Sequence, residues 1–314
     1  MTFNKNNNSI FIIAILIAII SGCVTRPVVD SESFSLTTPR YAHAAVNDGK
    51  KIYVFAGSNG SGFRSDIEII DPSSKKIEIL TRRLIPRRFF SAIWDGNHSI
   101  YILGGVSAVN KQFRYEKRVE VFNTLTHEIS FSKSIPLSTR INSAVFLDGR
   151  IFVFGGAYSK GKKLVATPIV GVFDIAKDEW KRIADMPTAK ATRAVVKDGL
   201  IYVAGGYDEN KSLDVFERFN PKTNTWESLP PIPEKISAHS VTVVKDKLFL
   251  FGNYNDLTST YSYDFVTQQW EKINIGYKAS RHNAATTLNG ITYVIGGTVG
   301  SAGPFLDYIQ IFKL

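Results

Sequence analysis

Arginine recurs at nearly regular intervals: Arg40, Arg87, Arg140 and Arg281. Lys190 and Ser237 stand in the two intervals that lack one, and Arg88 and Arg193 add charge close by. A guanidinium grips a carboxylate or phosphate with a planar fork of N–H donors. Several brought to one place would form a positive funnel for an anion. The whole chain leans the same way, with 38 Lys and Arg against 28 Asp and Glu and a formal net charge of +10. This balance also suits a position against anionic membrane lipid.

Catalytic chemistry is harder to find. Three of the five histidines, His43, His239 and His282, follow the arginine-type positions, but by three, two and one residues. Side-chain alternation along a strand would not turn all three to one side, so no metal site is expected. No catalytic residue is expected; Glu209 or Asp208 in a polar loop is an acid able to move a proton, with Glu209 the weak candidate. His-Glu-x-x-His and Gly-x-Ser-x-Gly are absent. The glycine-rich run Gly57–Gly62 lies between two strand-like segments with no helix to follow, so it fails as a phosphate loop. The single cysteine excludes an intrachain disulfide and a cysteine-based zinc cage. No cofactor is expected, nor a nucleic-acid partner.

The elements that must position these residues are strands. Apolar runs of four to six residues, rich in Val, Ile, Phe and Tyr, are bounded by Gly, Asn, Asp and Pro, without helical period. The best-formed unit runs from Arg140 to Trp180. An apolar run turns at Asp148-Gly149, a second stops at Gly155-Gly156, a third ends at Asp174, and Trp180 opens a fourth. Asp-Gly between apolar runs signals a hairpin, because both turn residues must accept positive φ. Five further units repeat the order, with Asp48-Gly49, Asp95-Gly96, Asp198-Gly199, Lys245-Asp246 and Asn289-Gly290 at the turn. The glycine pairs and their substitutes recur every 44 to 51 residues.

This order over residues 34–314 closely resembles the kelch repeat, whose unit is about 50 residues. The resemblance implies an all-β six-bladed β-propeller. The last unit ends at Leu314 after three strands, and Phe34-Ser35-Leu36 precedes the first. An N-terminal strand is therefore expected to complete the last blade and close the ring. In kelch propellers the strand after the arginine is innermost, which would set Arg40, Arg87, Arg140, Lys190 and Arg281 around the channel as ligand-binding residues. The same arginines often tie adjacent blades through carbonyls or carboxylates, so the two uses stand side by side. The implied function is a non-enzymatic monomer that holds a protein partner or an anionic carbohydrate. The alternative is a mutarotase or epimerase acting on an acidic sugar, resembling the bacterial sialic acid mutarotases, with Glu209 as its acid-base group. The copper oxidases of this architecture need a cysteine in the blades, where this chain has none.

Residues 1–22 read as a signal peptide. Ile10 to Ile20 is an unbroken apolar run, too short to span a bilayer as a helix. It ends in Ser21-Gly22-Cys23, which resembles the lipobox of bacterial lipoproteins and implies a diacylglycerol on Cys23. Residues 23–32 would be a tether and 33–314 the propeller. Val24 after the cysteine implies the outer membrane in a cell with two membranes.

Overall fold

The structure, a computed structural model, describes Met1, residues 34–109 and residues 112–314. The expected signal peptide, the candidate lipid attachment at Cys23 and the tether lie outside the described residues.

Among those residues every regular element is a strand, and no helix is long and apolar enough to cross a membrane. Strands adjacent in the chain pair antiparallel into successive meanders. Sheet one is Ala44–Asn47, Ile52–Phe55, Ile67–Asp71 and Lys76–Leu80. Sheet two is Ser91–Trp94, Ser99–Leu103, Val119–Asn123 and Ile129–Ser132. Sheet three is Ser143–Leu147, Arg150–Phe154, Val170–Asp174 and Glu179–Arg182. Sheet four is Ala191–Lys197, Leu200–Tyr207, Ser212–Asn220 and Thr225–Leu229. Sheet five is Ser240–Val244, Lys247–Phe251, Thr260–Asp264 and Gln269–Lys272. Sheet six has three strands, Ala284–Leu288, Ile291–Ile295 and Ile309–Lys313. Asp148-Gly149, Asp198-Gly199 and Asn289-Gly290 form the two-residue turns that their sequence implies, all at positive φ.

The second strand of each sheet is buried along nearly its whole length, because it is covered on both faces. Clusters of buried apolar side chains lie between neighbouring sheets. Tyr53 and Phe55 of sheet one meet Ile100 and Phe122 of sheet two. Phe154 and Val170 of sheet three meet Ile201 and Phe219 of sheet four. Each fully buried side chain of this size contributes roughly 1.5–3 kcal/mol. Ile52 and Val54 of sheet one likewise pack against Tyr293 and Ile295 of sheet six. Leu36, 3% exposed, joins that cluster. Ser35 bridges Tyr308, and the Leu36 N–H donates to the Asp307 carbonyl at 2.8 Å.

The first strands also follow a cyclic order. That of sheet one lies beside those of sheets two and six, and the intervening sheets follow in turn. They line a cavity of about 130 Å³ that includes His43, Ser91, Ser143, Arg193, Ser240 and Asn283. All of this is consistent with the β-propeller.

The glycine pairs have a positional reason. The glycine at the second place, after Ala56 in sheet one and after a glycine elsewhere, donates its N–H to the next sheet: Gly57 to the Arg87 carbonyl, Gly105 to Thr139, Gly156 to Lys190, Gly206 to Ile236, and Gly297 to Arg40. The first glycine lets the chains come that close. A Cβ on Gly155, at φ +52°, would stand 2.3 Å from the Lys190 carbonyl oxygen.

Candidate functional site

The basic positions identified in the sequence divide into two groups, because they occupy two adjacent backbone positions. Arg140 and Arg281 pair with the residue after their glycine pair, Ala157 and Thr298. Tyr41 pairs in the same way with Ser58, and Arg88 with Val106. Arg40, Arg87 and Lys190 each stand one residue earlier. On extended chain one residue turns a side chain to the opposite side.

Arg40, Arg87 and Lys190 are fully buried. Arg40 donates to Asp66 at 2.7 Å, to Glu68, and to the Ala56 carbonyl at 3.0 Å. Arg87 meets Glu120 at 2.5 Å and the Gly104 carbonyl at 3.1 Å. Lys190 meets Glu217 at 2.6 Å. Burial pulls Arg87 and Lys190 below their ordinary values and the carboxylates pull them back. These three cations tie the second and third strands to the loop that enters the first. They are not open to a ligand.

Arg140 and Arg281 belong to a second set, with Arg88 and Arg193. All four bear on His282, whose imidazole is pulled down to about 3, first by burial and then by Arg193, Arg281, Arg140 and Arg88. Arg88 and Arg140 line one cleft, and Arg88 and Arg281 lie over Phe89 and Tyr254, two rings that flank His282, so these guanidiniums share one mouth. Aromatic rings frame it. Phe89 stands 5.1 Å from the His282 ring, Tyr254 6.5 Å, and Tyr41 6.3 Å with Phe305 stacked on it at 5.2 Å. Arg281 lies over Tyr254 at 3.9 Å and Arg88 over Phe63 at 4.9 Å. The Nε atoms of Arg88, Arg140 and Arg281 and the Nδ1 of His282 are buried without a hydrogen-bond partner among the described residues.

Glu209 is the carboxylate that reaches this set, at 3.0 Å from Arg140. Asp208 is engaged within its own loop, accepting from the N–H groups of Asn210 and Lys211. Of the other histidines, His239 is held down by burial and then by Arg193, and His43 by burial and then by the buried Arg40. His43 and His239 are buried at the two neighbouring core positions, both held near 3 by burial, and His239 Nε2 lies 3.1 Å from the Ala204 carbonyl. Among the described residues no group of three or more metal-capable side chains gathers.

Main-chain hydrogen bonds hold the mouth in shape. Ile141 donates to Phe89, Phe89 to Ala42, Ala42 to His282, and His282 to Ala238, at 2.7–2.9 Å. All five residues have φ between 52 and 57°. Sheet four lacks such a residue and has a register shift there. The Arg193 side chain fills its place, donating to the carbonyls of Thr192 at 3.2 Å and Asn142 at 3.4 Å.

Hairpins raised after the glycine pairs wall one side: Ser58–Asn59 with Gly62–Phe63, Val106–Val109 with Gln112–Tyr115, and Ala157–Lys160 with Lys163–Ala166. Tyr115 Oη and Ser159 Oγ, 3.1 Å apart, join the second wall to the third. Between them a cleft of about 220 Å³ descends to Arg88 and Arg140.

Comparison with known proteins agrees with this architecture. The "KLHDC2/KLHL20/DRC7 Kelch-repeats domain" matches residues 75–253, and the "Kelch motif" matches residues 39–76. Kelch-like protein terF of Aspergillus terreus is 26% identical over 232 residues, covering 68% of this chain and 50% of its own. Human Kelch-like protein 23 is 26% identical over 217 residues, covering 68% and 37%. Beta-scruin of Limulus polyphemus is 25% identical over 248 residues, covering 73% and 27%. The chain thus spans half or less of the length of these relatives. With matching repeats over more than half of its residues, on sheets that carry the glycine-pair stitches, the chain belongs to the kelch-repeat family.

Proposed function

We propose that the six sheets are blades of one closed propeller, completed by residues 34–36, and that it serves as a non-catalytic binding module for an acidic protein surface. The cyclic order of the first strands and the Ser35–Tyr308 bridge support closure. The observation that carries the binding reading is the mouth itself. Arg88, Arg140 and Arg281 gather there, and Glu209 is the carboxylate paired among them. The unpaired Nε atoms are unused donors, the second prong of the grip that guanidinium gives a carboxylate. Exposed Phe113 and Tyr254 on the rim offer the apolar contact that an interface adds to charge.

Fluorescence anisotropy with a labelled hexaglutamate peptide tests this. Arg88→Ala, Arg140→Ala and Arg281→Ala should each weaken binding by roughly tenfold or more. Binding should also fall as salt rises. Unchanged affinity in the triple variant would remove the mouth from the reading. Binding of a free acidic sugar instead would move it toward the small-molecule alternative.

The same reading tethers the module in a bacterial cell envelope through a lipid on Cys23, supported by the Ile10 to Ile20 run and Ser21-Gly22-Cys23. Cys23→Ser should release the protein to the soluble fraction. Retention on membranes would rule the lipid out.

A further inference from the structure

Glu209 sits at a hairpin tip, yet its side chain is only 9% exposed, while Asn210 and Lys211 beside it are exposed. The tip is a tight turn. Asp208 donates its N–H to the Lys211 carbonyl at 3.3 Å, and its carboxylate caps the two N–H groups that follow. Within that turn Glu209 holds φ +75°, a left-handed conformation that strains any residue with a Cβ. Glycine or asparagine would take the position with less strain and no charge.

The strained residue turns its carboxylate inward to Arg140, 69 positions away in the chain. The contact is one atom to one atom, Oε2 on Nη2. Oε1 of Glu209 and Nε of Arg140 are both buried and unpartnered. An arginine fork and a carboxylate can make two parallel hydrogen bonds, and here half of that arrangement is empty. Beside it opens the cleft that descends to Arg88 and Arg140 between Phe113, Tyr115 and Ser159.

We propose that Glu209 is a resident stand-in for the ligand's carboxylate. The group recognised is then an aspartate or glutamate side chain of a polypeptide. It enters along the cleft, takes both prongs of Arg140 between Arg88 and Arg281, and turns Glu209 out to solvent. This rests on the acidic-partner reading above and names the atom-level contact in it. The protein's own chain shows what the site takes, a carboxylate on a short flexible arm presented by a turn.

The test is anisotropy of the labelled hexaglutamate peptide on six proteins of the full chain: wild type, Glu209→Gln, Glu209→Gly, Arg140→Gln, the Arg140→Gln/Glu209→Gln double variant and Arg281→Ala. Glu209→Gln removes the competing charge and keeps the shape. Glu209→Gly removes the charge and relieves the strained φ, so at least one variant is free of any folding penalty. Both should bind about fivefold tighter than wild type. In the Arg140→Gln background Glu209→Gln should change nothing. If removing Glu209 leaves affinity unchanged or weakens it, while Arg281→Ala still weakens the wild type, the stand-in is overturned and the acidic-partner reading survives. If no variant binds the peptide, both fall.

Discussion

Lys190 is the sharpest test of how the basic residues divide. Its Nζ lies 2.6 Å from Glu217 Oε2, and the two side chains are 0% and 1% exposed. At an effective dielectric near 20 the attraction is roughly 6 kcal/mol, most of it offset by the loss of hydration. Removing one partner leaves the other buried and uncompensated, a loss of about 3–5 kcal/mol. Lys190→Met should therefore lower the melting temperature by roughly 5–10 °C for a chain of this size. Adding Glu217→Leu should recover most of that, because a well-packed apolar pair often replaces a buried ion pair at little net loss. Thermal unfolding of the two single variants and the double variant forms a complete cycle, and peptide affinity at a temperature where all are folded is the second readout. The structure requires a large coupling and unchanged affinity. A shift under 2 °C, or a stable Lys190→Met that no longer binds, would show that Lys190 faces a ligand after all.

Two further outcomes follow from the same packing. Leu36→Ala should cost about 2–5 kcal/mol, because Leu36 fills the cluster between sheets one and six, and an unchanged melting temperature would detach residues 34–36 from the fold. His43 and His239 are neutral in the folded chain, with values near 3, but take a proton below pH 6.5 when unfolded. Stability is full above pH 6.5 and falls as pH drops toward 3, by up to about 1.4 kcal/mol per pH unit for each histidine. Equal urea midpoints at pH 7 and pH 5 would contradict their burial, and His43→Gln should flatten the slope.

The repeats were legible because their signals are local. Asp148-Gly149 sets its own turn, and each glycine pair marks a close backbone contact where a Cβ is crowded. The mouth was only partly legible, since Arg40 and Arg140 look alike in a repeat alignment that tolerates one-residue drift. Their difference lies in register, which pairing across strands sets. A signal was nevertheless present in the third strands. Glu68, Glu120 and Glu217 occupy one repeat position, opposite Val54, Ile102 and Val203. The sheets with a buried Arg40, Arg87 or Lys190 are the ones that carry this glutamate. Sheets three, five and six have Gly171, Tyr261 and Gln310 there instead. Arg88 and Arg193 were visible as nearby charge, but their convergence on His282 needed the curl of the chain. Glu209 pairs across 69 residues, a distance at which no pattern along the chain speaks.

The relay of main-chain hydrogen bonds through Ile141, Phe89, Ala42, His282 and Ala238 has a consequence for how such a protein changes over time. The five share a conformation yet carry four kinds of side chain, from the methyl group of Ala42 and Ala238 to an imidazole. Even a β-branched isoleucine is held at φ 55°, where unsupported chain would rarely leave it. The scaffold therefore asks nothing of the side chain beyond tolerance of that twist. Successive substitutions could repaint the lining one tile at a time, and a new specificity could arise while the sheets beneath it stay the same.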